Sequence, residues 1–239
     1  LLSPAQSEAV AASASADTIG QSTTCVASPA RAPITLDGEH AQAMTALAHA
    51  HGARDRIIGL LLAAARRRWP DQWRQLAPVP LRLASWVGYD MDGRTDITWA
   101  TSLRYRLSEK AQRLAGYAAA LESAAPDLAA DLARASAYAA GQAASFAADL
   151  SDPAALSAAA NAFTADHADK LISLASVIAE LDDRAAKADD DTAEALLRVV
   201  SAMRADGLGM GWIHFRLNAS QLQNAIRHRI DPDGKLDLA

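Results

Sequence analysis

The sequence predicts a mainly α protein built of long antiparallel helices with two or three short strands. Alanine makes up about a quarter of the 239 residues and aromatic residues only 5%, a composition typical of closely packed helices. Apolar residues recur at helical spacing over long stretches, and prolines stand where successive helices would begin or end. Alternation of apolar and polar residues, which indicates a strand, is confined to two short segments.

The composition also argues against several classes of function. Duplex binding needs a positive face, whereas the formal net charge is −5 and the only tight basic cluster is Arg66, Arg67 and Arg68. No apolar run is long enough to span a bilayer. The chain has a single cysteine, Cys25, so it forms no internal disulfide framework, which is typical of proteins in a reducing compartment. We therefore expect a cytoplasmic protein that binds neither nucleic acid nor membrane.

The first part of the chain is predicted to be a loop followed by one long helical region. Residues 1–38 are small and polar, with three prolines, and are predicted to be mostly loop. Residues 39–80 are predicted to be helical, because apolar residues recur there at helical spacing: Met44, Leu47, Ile58, Leu61 and Leu62. Pro70 supplies a stop, and Gly52 is the point where an interruption is expected.

Residues 81–98 are predicted to form a strand and a polar loop. Apolar and polar side chains alternate from Leu81 to Gly88, which is the clearest strand pattern in the sequence. Polar residues and glycine follow, and Thr95 or Asp96 can cap a helix that begins near Ile97. The predicted order is strand, loop and helix.

Residues 99–206 are predicted to form helical hairpins. Pro126 and Pro153 mark helix starts, where the first turn tolerates a missing N–H, and Asp152 is placed to cap the second of them. The acidic stretch 182–191 is predicted to be a solvated helix end and N-cap.

Residues 207–239 are predicted to form a second strand and a helix. The glycines at 207, 209 and 211 indicate a flexible turn, because they precede a strand instead of following one. The strand is predicted at 212–217 and the helix at about 220–228.

The two junctions between strand and helix, near residues 88 and 218, are where functional residues are expected, because ligands of α/β proteins bind at the carboxyl ends of strands. Asp90 and Asp92 lie at the first junction. Their spacing fits two carboxylates facing a cation or polar ligand, but the preferred interpretation is a capped loop. A calcium loop starting at Asp90 would need a glutamate where the sequence has Thr101. The sequence contains no zinc-type histidine motif and no serine nucleophile elbow.

Two stretches of the sequence, taken in order, carry a more specific pattern. The first is Ser85-Trp86-Val87-Gly88-Tyr89-Asp90-Met91-Asp92-Gly93-Arg94, and the second is Gly211-Trp212-Ile213-His214-Phe215-Arg216-Leu217-Asn218-Ala219-Ser220-Gln221. They resemble two segments of the phosphoenolpyruvate carboxylases, Ser-Trp before Gly-Gly-Asp-Arg-Asp-Gly-Asn-Pro and, downstream, Phe-Gly-x-His-x-x-Arg-Leu-Asp-x-Arg-Gln. A long helical insertion separates the two segments in that family, as it does here.

The resemblance implies a larger fold and a reaction. Residues 1–239 would be a partial phosphoenolpyruvate carboxylase-like domain, an internal part of an α/β barrel surrounded by helices. The family adds bicarbonate to phosphoenolpyruvate with Mg²⁺ or Mn²⁺, giving oxaloacetate and phosphate, and the full-length enzyme forms homo-oligomers. Its catalytic histidine motif and its metal ligands would lie outside this sequence. We therefore expect no catalytic residue and no metal ligand within these residues, and no activity from the isolated chain.

The resemblance also implies which residues face the substrates. Trp86 is similar to the tryptophan associated with the bicarbonate pocket, and the glycines and aspartates after it would form the loop that shapes the site. Arg216 and Gln221 match the second segment. The substrate-pocket candidates are Trp86, Gly88, Asp90, Asp92, Gly93, Arg94, Arg216 and Gln221.

The sequence departs from the family's pattern at charged positions. The loop arginine is Met91 here, the second glycine is Tyr89, the aspartate is Asn218, and the arginine before the glutamine is Ser220. A hydroxyl cannot replace the bidentate contact of a guanidinium with phosphate, and Arg94 is the candidate to compensate. These losses leave an alternative open, a non-catalytic helical protein of interaction or regulation that derives from the same scaffold.

Overall fold

The computed structural model of the chain describes residues 34–91, 94, 96–216, 218–233 and 235. Its elements all belong to one unit of the chain, Leu36–Ala239. In chain order they are α1 (Leu36–Arg68), a 3₁₀ helix (Trp73–Gln75), β1 (Ala84–Ser85), α2 (Trp99–Leu121), α3 (Pro126–Ser145), α4 (Pro153–Thr164), α5 (Ala175–Lys187), α6 (Asp190–Asp206), β2 (Trp212–Ile213) and α7 (Ala219–Ile230). The predicted mainly α class with short strands is confirmed. The loop predicted over residues 1–38 lies outside the described residues up to position 33, and its last three residues, 36–38, are helical.

Helix α1 is longer and more regular than predicted. It begins at Leu36 and runs without a break through Gly52 to Arg68, so the interruption predicted at that glycine is wrong. The neighbours of Gly52 explain the continuity, because His51 and Arg54 are both buried against the rest of the protein and hold this part of the helix in place. The stop before Pro70 is as predicted, whereas residues 76–80 of the predicted helical region 39–80 contain no helix.

Local sequence signals set most of the other helix ends. Pro126 and Pro153 occupy the first turns of α3 and α4, and the Asp152 carboxylate accepts from the N–H groups of Ala154 and Ala155, both at 3.2 Å. The Asp189 carboxylate caps α6 in the same way, which confirms the N-cap predicted in the acidic stretch.

The start of α2 was predicted wrongly. The helix begins at Trp99, and its N-cap is Thr98, whose Oγ1 accepts from the N–H of Thr101 at 3.2 Å. Asp96, one of the two predicted caps, is bound instead by the guanidinium of Arg94. Thr95, the other, lies outside the described residues.

Helix α6 is the centre of the packing and contacts α1, α2 and α5. Leu196, Val200 and Met203 of this helix are almost completely buried within the main hydrophobic core. Helices α2 and α3 form an antiparallel hairpin, in which Ser136 Oγ donates to the carbonyl of Ala111 at 2.8 Å. A smaller cluster, around Leu107 and Phe146, joins this hairpin to α4. The predicted helical hairpins are therefore present around a core of leucine, valine and alanine.

Candidate functional site

The two stretches that carry the sequence pattern lie side by side. Strands β1 and β2 pair in parallel, with Ala84 opposite Trp212 and Ser85 opposite Ile213. The N–H of Trp212 donates to the carbonyl of Leu83 at 2.8 Å, and that of His214 donates to Ser85 at 2.9 Å. Only two residues of each strand pair in the ladder, so both strands are shorter than the predicted segments 81–88 and 212–217. The packing of the intervening helices brings these distant segments together.

A glycine makes the close approach of the strands possible. A Cβ built on Gly211 would lie 2.7 Å from the carbonyl oxygen of Leu83, which is the acceptor of the first inter-strand hydrogen bond. This glycine therefore has a packing role beyond that of the predicted flexible turn.

A tight turn follows β1 and includes the candidate residues Trp86 and Gly88. The N–H of Tyr89 donates to the carbonyl of Trp86 at 2.9 Å, and Gly88 takes a φ of 86° at the third position of this turn. A Cβ on Gly88 would also lie 2.3 Å from the Tyr105 ring, and its carbonyl accepts from Ser102 Oγ at 2.7 Å. Glycine is required here both by the backbone conformation and by the packing of α2 against the loop.

Pairing resumes beyond the turn and brings two more candidate residues into contact. Asp90 and Arg216 form an isolated parallel bridge, in which the N–H of Met91 donates to the carbonyl of Arg216 at 3.2 Å. Arg216 Nη1 also donates to Asp90 Oδ2 at 2.8 Å. The Arg216 side chain is 60% exposed and that of Asp90 18%. The carboxyl ends of both strands thus present a largely exposed guanidinium that a neighbouring carboxylate orients.

The strand pair leaves aromatic side chains in solvent. Trp86 is 57% exposed and Trp212 54%, and Ala84 and His214 are exposed as well. Side chains alternate along a strand, so these four residues share one face of the pair. Parallel sheets are normally covered on both faces. This face therefore exposes two tryptophans at the candidate site, where a parallel sheet is normally covered.

Of the four other candidate residues, the structure describes Arg94 and Gln221. The guanidinium of Arg94 binds Asp96 at 2.6 Å and Glu39 at 3.2 Å, so acidic side chains hold it at the start of α1. Gln221 lies in the first turn of α7. Asp92 and Gly93 lie outside the described residues.

A buried polar network that was not predicted from the sequence supports the loop from below. Glu109 of α2 accepts from the hydroxyl of Tyr89 at 2.8 Å and lies 3.1 Å from His40 Nε2. Burial and the nearby Glu109 carboxylate raise the pKa of Tyr89, so the phenol stays protonated and keeps donating. The His40 ring stacks on Tyr105 with 3.9 Å between ring centroids. Helical spacing could have placed Glu109 on the buried face of α2, because it falls on the same stripe as Ser102 and Tyr105.

Two of the positions that depart from the family pattern form a helix cap. Asn218 Oδ1 accepts from the N–H of Ser220 at 2.9 Å and from its hydroxyl at 2.5 Å. The pair thereby starts α7. The Ser220 hydroxyl is therefore used within the chain.

A buried ion cluster joins α1, α2 and α6 just before the turn that leads to β2. The Asp206 carboxylate binds Arg54 at 2.6 and 2.9 Å, and Arg113 Nη2 at 2.8 Å. His51 Nε2 lies 3.4 Å from the same carboxylate. Burial, and after it the charge of Arg113, lowers the pKa of His51 to about 4, so this imidazole is neutral at pH 7. The cluster holds together α1 and α2, which contact the loop after β1, and α6, which leads to β2.

In the described part of the chain, no group of three or more His, Cys, Asp or Glu side chains is arranged to hold a metal ion. Among the same residues, no helix combines the length and the apolar character that a membrane span requires.

In comparisons with known proteins, no family model, no curated protein and no solved structure matches the chain.

Proposed function

We propose that this chain forms part of the substrate pocket of a phosphoenolpyruvate carboxylase, which adds bicarbonate to phosphoenolpyruvate to give oxaloacetate and phosphate. One observation carries the proposal. The two stretches that resemble the family's segments lie 126 residues apart in sequence, yet they pair in parallel and meet again at Asp90 and Arg216. Substrates of barrel enzymes bind at the carboxyl ends of such strands.

The exposed face of the strand pair supports the proposal that the chain belongs to a larger α/β barrel. Two parallel strands of two residues each bury little surface, and parallel sheets gain their stability from further strands and from helices on both faces. Helices packed on this face, or closure of the strands into a barrel, would cover Trp86 and Trp212, each of which is more than half exposed. As part of this proposal, the full-length enzyme acts in the cytoplasm as a homo-oligomer.

Each contacting residue has a role that its chemistry supports. The exposed guanidinium of Arg216 offers positive charge and hydrogen bonds to the phosphate, and Asp90 fixes its position. Trp86 provides an apolar wall that keeps water away from the carboxylating species. Mg²⁺ or Mn²⁺ would supply Lewis-acid stabilisation of the enolate oxygen. The described residues offer no set of ligands for it, so we assign no metal ligand to this part of the protein.

A second candidate function is a non-catalytic scaffold that derives from the same fold. The observation that favours it is the use of the altered positions within the chain. Asn218 and Ser220 cap α7, and Arg94 is held by two acidic side chains, so none of these three brings unbalanced positive charge to a phosphate.

The deciding experiment measures oxaloacetate formation by the full polypeptide that carries this sequence, with phosphoenolpyruvate, bicarbonate and Mg²⁺ in a coupled assay. We expect activity that collapses in a Trp86→Ala, Asp92→Asn variant. Arg216→Met should lower kcat/KM by roughly 10²-fold or more, the cost of losing a charge-assisted contact in the transition state. Residues 1–239 alone should be inactive.

The matched control is Arg134→Met, because Arg134 is a helix-surface arginine whose side chain is 58% exposed, close to the value for Arg216. This variant should keep full activity. A well-folded full-length protein that forms no oxaloacetate would favour the scaffold function. Turnover by residues 1–239 alone would contradict the expectation that the catalytic histidine motif and the metal ligands lie outside these residues.

A further inference from the structure

A groove outside the strand pair lies between the C-terminal half of α1 and the segment that follows the 3₁₀ helix. We call it the α1 groove; its volume is about 550 Å³, and the side chains that define it are Leu61, Ala64, Arg68, Trp69, Leu76 and Pro78. Trp69 is 53% exposed and Leu76 42%. The lining is apolar except for Arg68, whose guanidinium lies over the Trp69 ring at 5.9 Å. A concave apolar surface of this kind fits a docked segment.

The apolar stripe of the groove continues along α1 at helical spacing. Ile57 is 42% exposed and Leu60 is 72% exposed, and they precede Leu61 and Ala64 on the same side of the helix. The core-facing side of α1 is separate, because Ile58 and Leu62 are completely buried. Helix α1 therefore has two apolar faces, and the rest of the described chain covers only one of them. Spacings of three, four and seven residues are those by which one helix packs on another.

Three arginines lie on or beside this stripe: Arg56 and Arg67 along one edge of it, and Arg68 within it. In the part of the chain that the structure describes, Arg56, Arg67 and Arg68 form no ion pair, whereas their neighbour Arg66 binds Asp190 and Asp191 elsewhere. Among the described residues no carboxylate lines the groove, whereas Asp190 and Glu194 line a neighbouring pocket together with Arg67. This concentration of positive charge is notable in a protein whose formal net charge is −5.

We propose that the α1 groove binds an amphipathic helix of a partner protein whose apolar stripe is flanked by acidic side chains. Arg56 and Arg67 are eleven positions apart on α1, which corresponds to about 17 Å, or three helical turns. The partner helix would insert its apolar side chains between α1 and Leu76, with carboxylates about three turns apart near the two ends of the stripe. This proposal does not depend on the proposed carboxylase activity.

The shape and the charge favour this occupant over two others. An anionic lipid surface is flat and would leave the concave part of the groove unfilled. A second copy of this chain, paired through the same surface about a two-fold axis, would place one set of arginines close to the other, because an isologous interface uses the same patch twice. An acidic helix both fills the groove and balances the charge.

The proposal can be tested by fluorescence anisotropy with two labelled synthetic helices that both carry leucines at positions i, i+3, i+4 and i+7. One peptide has glutamates at both ends of the leucine stripe, and the other has lysines there. The full chain should bind the glutamate peptide at least about tenfold more tightly, and added salt should reduce the difference. Leu60→Glu should weaken this binding by about tenfold or more, since it puts a carboxylate in the stripe.

Leu222→Glu is the matched control, because Leu222 is 50% exposed on α7 and lies outside the groove. It should leave the binding of the peptide unchanged. Equal affinity for the two peptides, or equal binding by the two variants, would overturn the proposal. So would tighter binding to phosphatidylglycerol vesicles than to the glutamate peptide, or a dimer in sedimentation that Leu60→Glu dissociates.

Discussion

Replacement of Asp206 by asparagine should destabilise the fold far more than the same replacement at an exposed aspartate. The Asp206 side chain is completely buried, accepts two hydrogen bonds from Arg54 at 2.6 and 2.9 Å, and forms an ion pair with Arg113 Nη2 at 2.8 Å. Arg54 is itself completely buried, and Arg113 is almost so. Asparagine keeps the shape of the side chain but removes its charge. Arg113 then stays buried without its counterion, and Arg54 keeps only Asp55, whose side chain is 33% exposed.

The expected magnitude follows from the cost of leaving a buried charge without its partner. Removal of one member of a buried ion pair costs about 3–5 kcal/mol, whereas an exposed pair contributes at most about 1 kcal/mol. Since small domains are stable by roughly 5–15 kcal/mol, the change at Asp206 should remove a large part of the free energy of unfolding.

Asp182→Asn provides the matched comparison, because Asp182 binds Arg204 at 2.7 Å while both side chains remain about 40% exposed. The assay is urea unfolding followed by circular dichroism at 222 nm and pH 7, with ΔG and m fitted for each variant. Asp206→Asn should lower the midpoint strongly, and Asp182→Asn only slightly. A loss at Asp206 no larger than the loss at Asp182 would refute the argument from burial. The double variant Asp206→Asn, Arg113→Met should recover part of the stability, because one uncompensated charge is removed.

Three further predictions follow from single positions. Gly88→Ala should cost about 1–3 kcal/mol, because a Cβ would meet the Tyr105 ring and the φ of 86° is strained. Gly141→Ala, at an open position near the end of α3, should stabilise the protein by up to about 1 kcal/mol in the same urea assay. The low pKa of His51, about 4 against 6.5 when unfolded, means that stability is complete above pH 6.5 and falls toward pH 4 by up to about 1.4 kcal/mol per pH unit. His51→Gln should remove that slope, and an unchanged pH profile would contradict the prediction. Asp189→Ala should cost about 1 kcal/mol through loss of the α6 cap, which thermal unfolding would detect as a lower Tm.

Helix boundaries were largely predictable, because the signals that set them are local. Pro126, Pro153, Asp152 and Asp189 act on backbone groups within three residues of themselves, and each stands where the helix starts. The errors arose where another side-chain contact competed with the predicted signal, and for Asp96 that contact comes from a residue only two positions away. Asp96 was free to cap α2 as far as the sequence indicated, but Arg94 binds its carboxylate in the folded chain.

The candidate site could be predicted only in part. The sequence identified Asp90 and Arg216 as separate members of two segments, but their contact depends on how five intervening helices pack. The network below the loop was missed because periodicity identifies Glu109 as a residue on the inner face of a helix without showing which groups it will meet. Side-chain partners that are distant in sequence are fixed by the fold.

The sequence by itself determined the helical class, the order of the elements, most of the helix starts and the glycine-containing turn after β1. These features depend on residue types and spacings over one or two turns of chain, where propensity and capping act. The tertiary structure alone decided the parallel pairing of the strands, the burial of Arg54 with Asp206, and the second apolar face of α1. Each of these depends on contacts across the fold, whose free energy comes from excluding water between segments that the sequence keeps far apart.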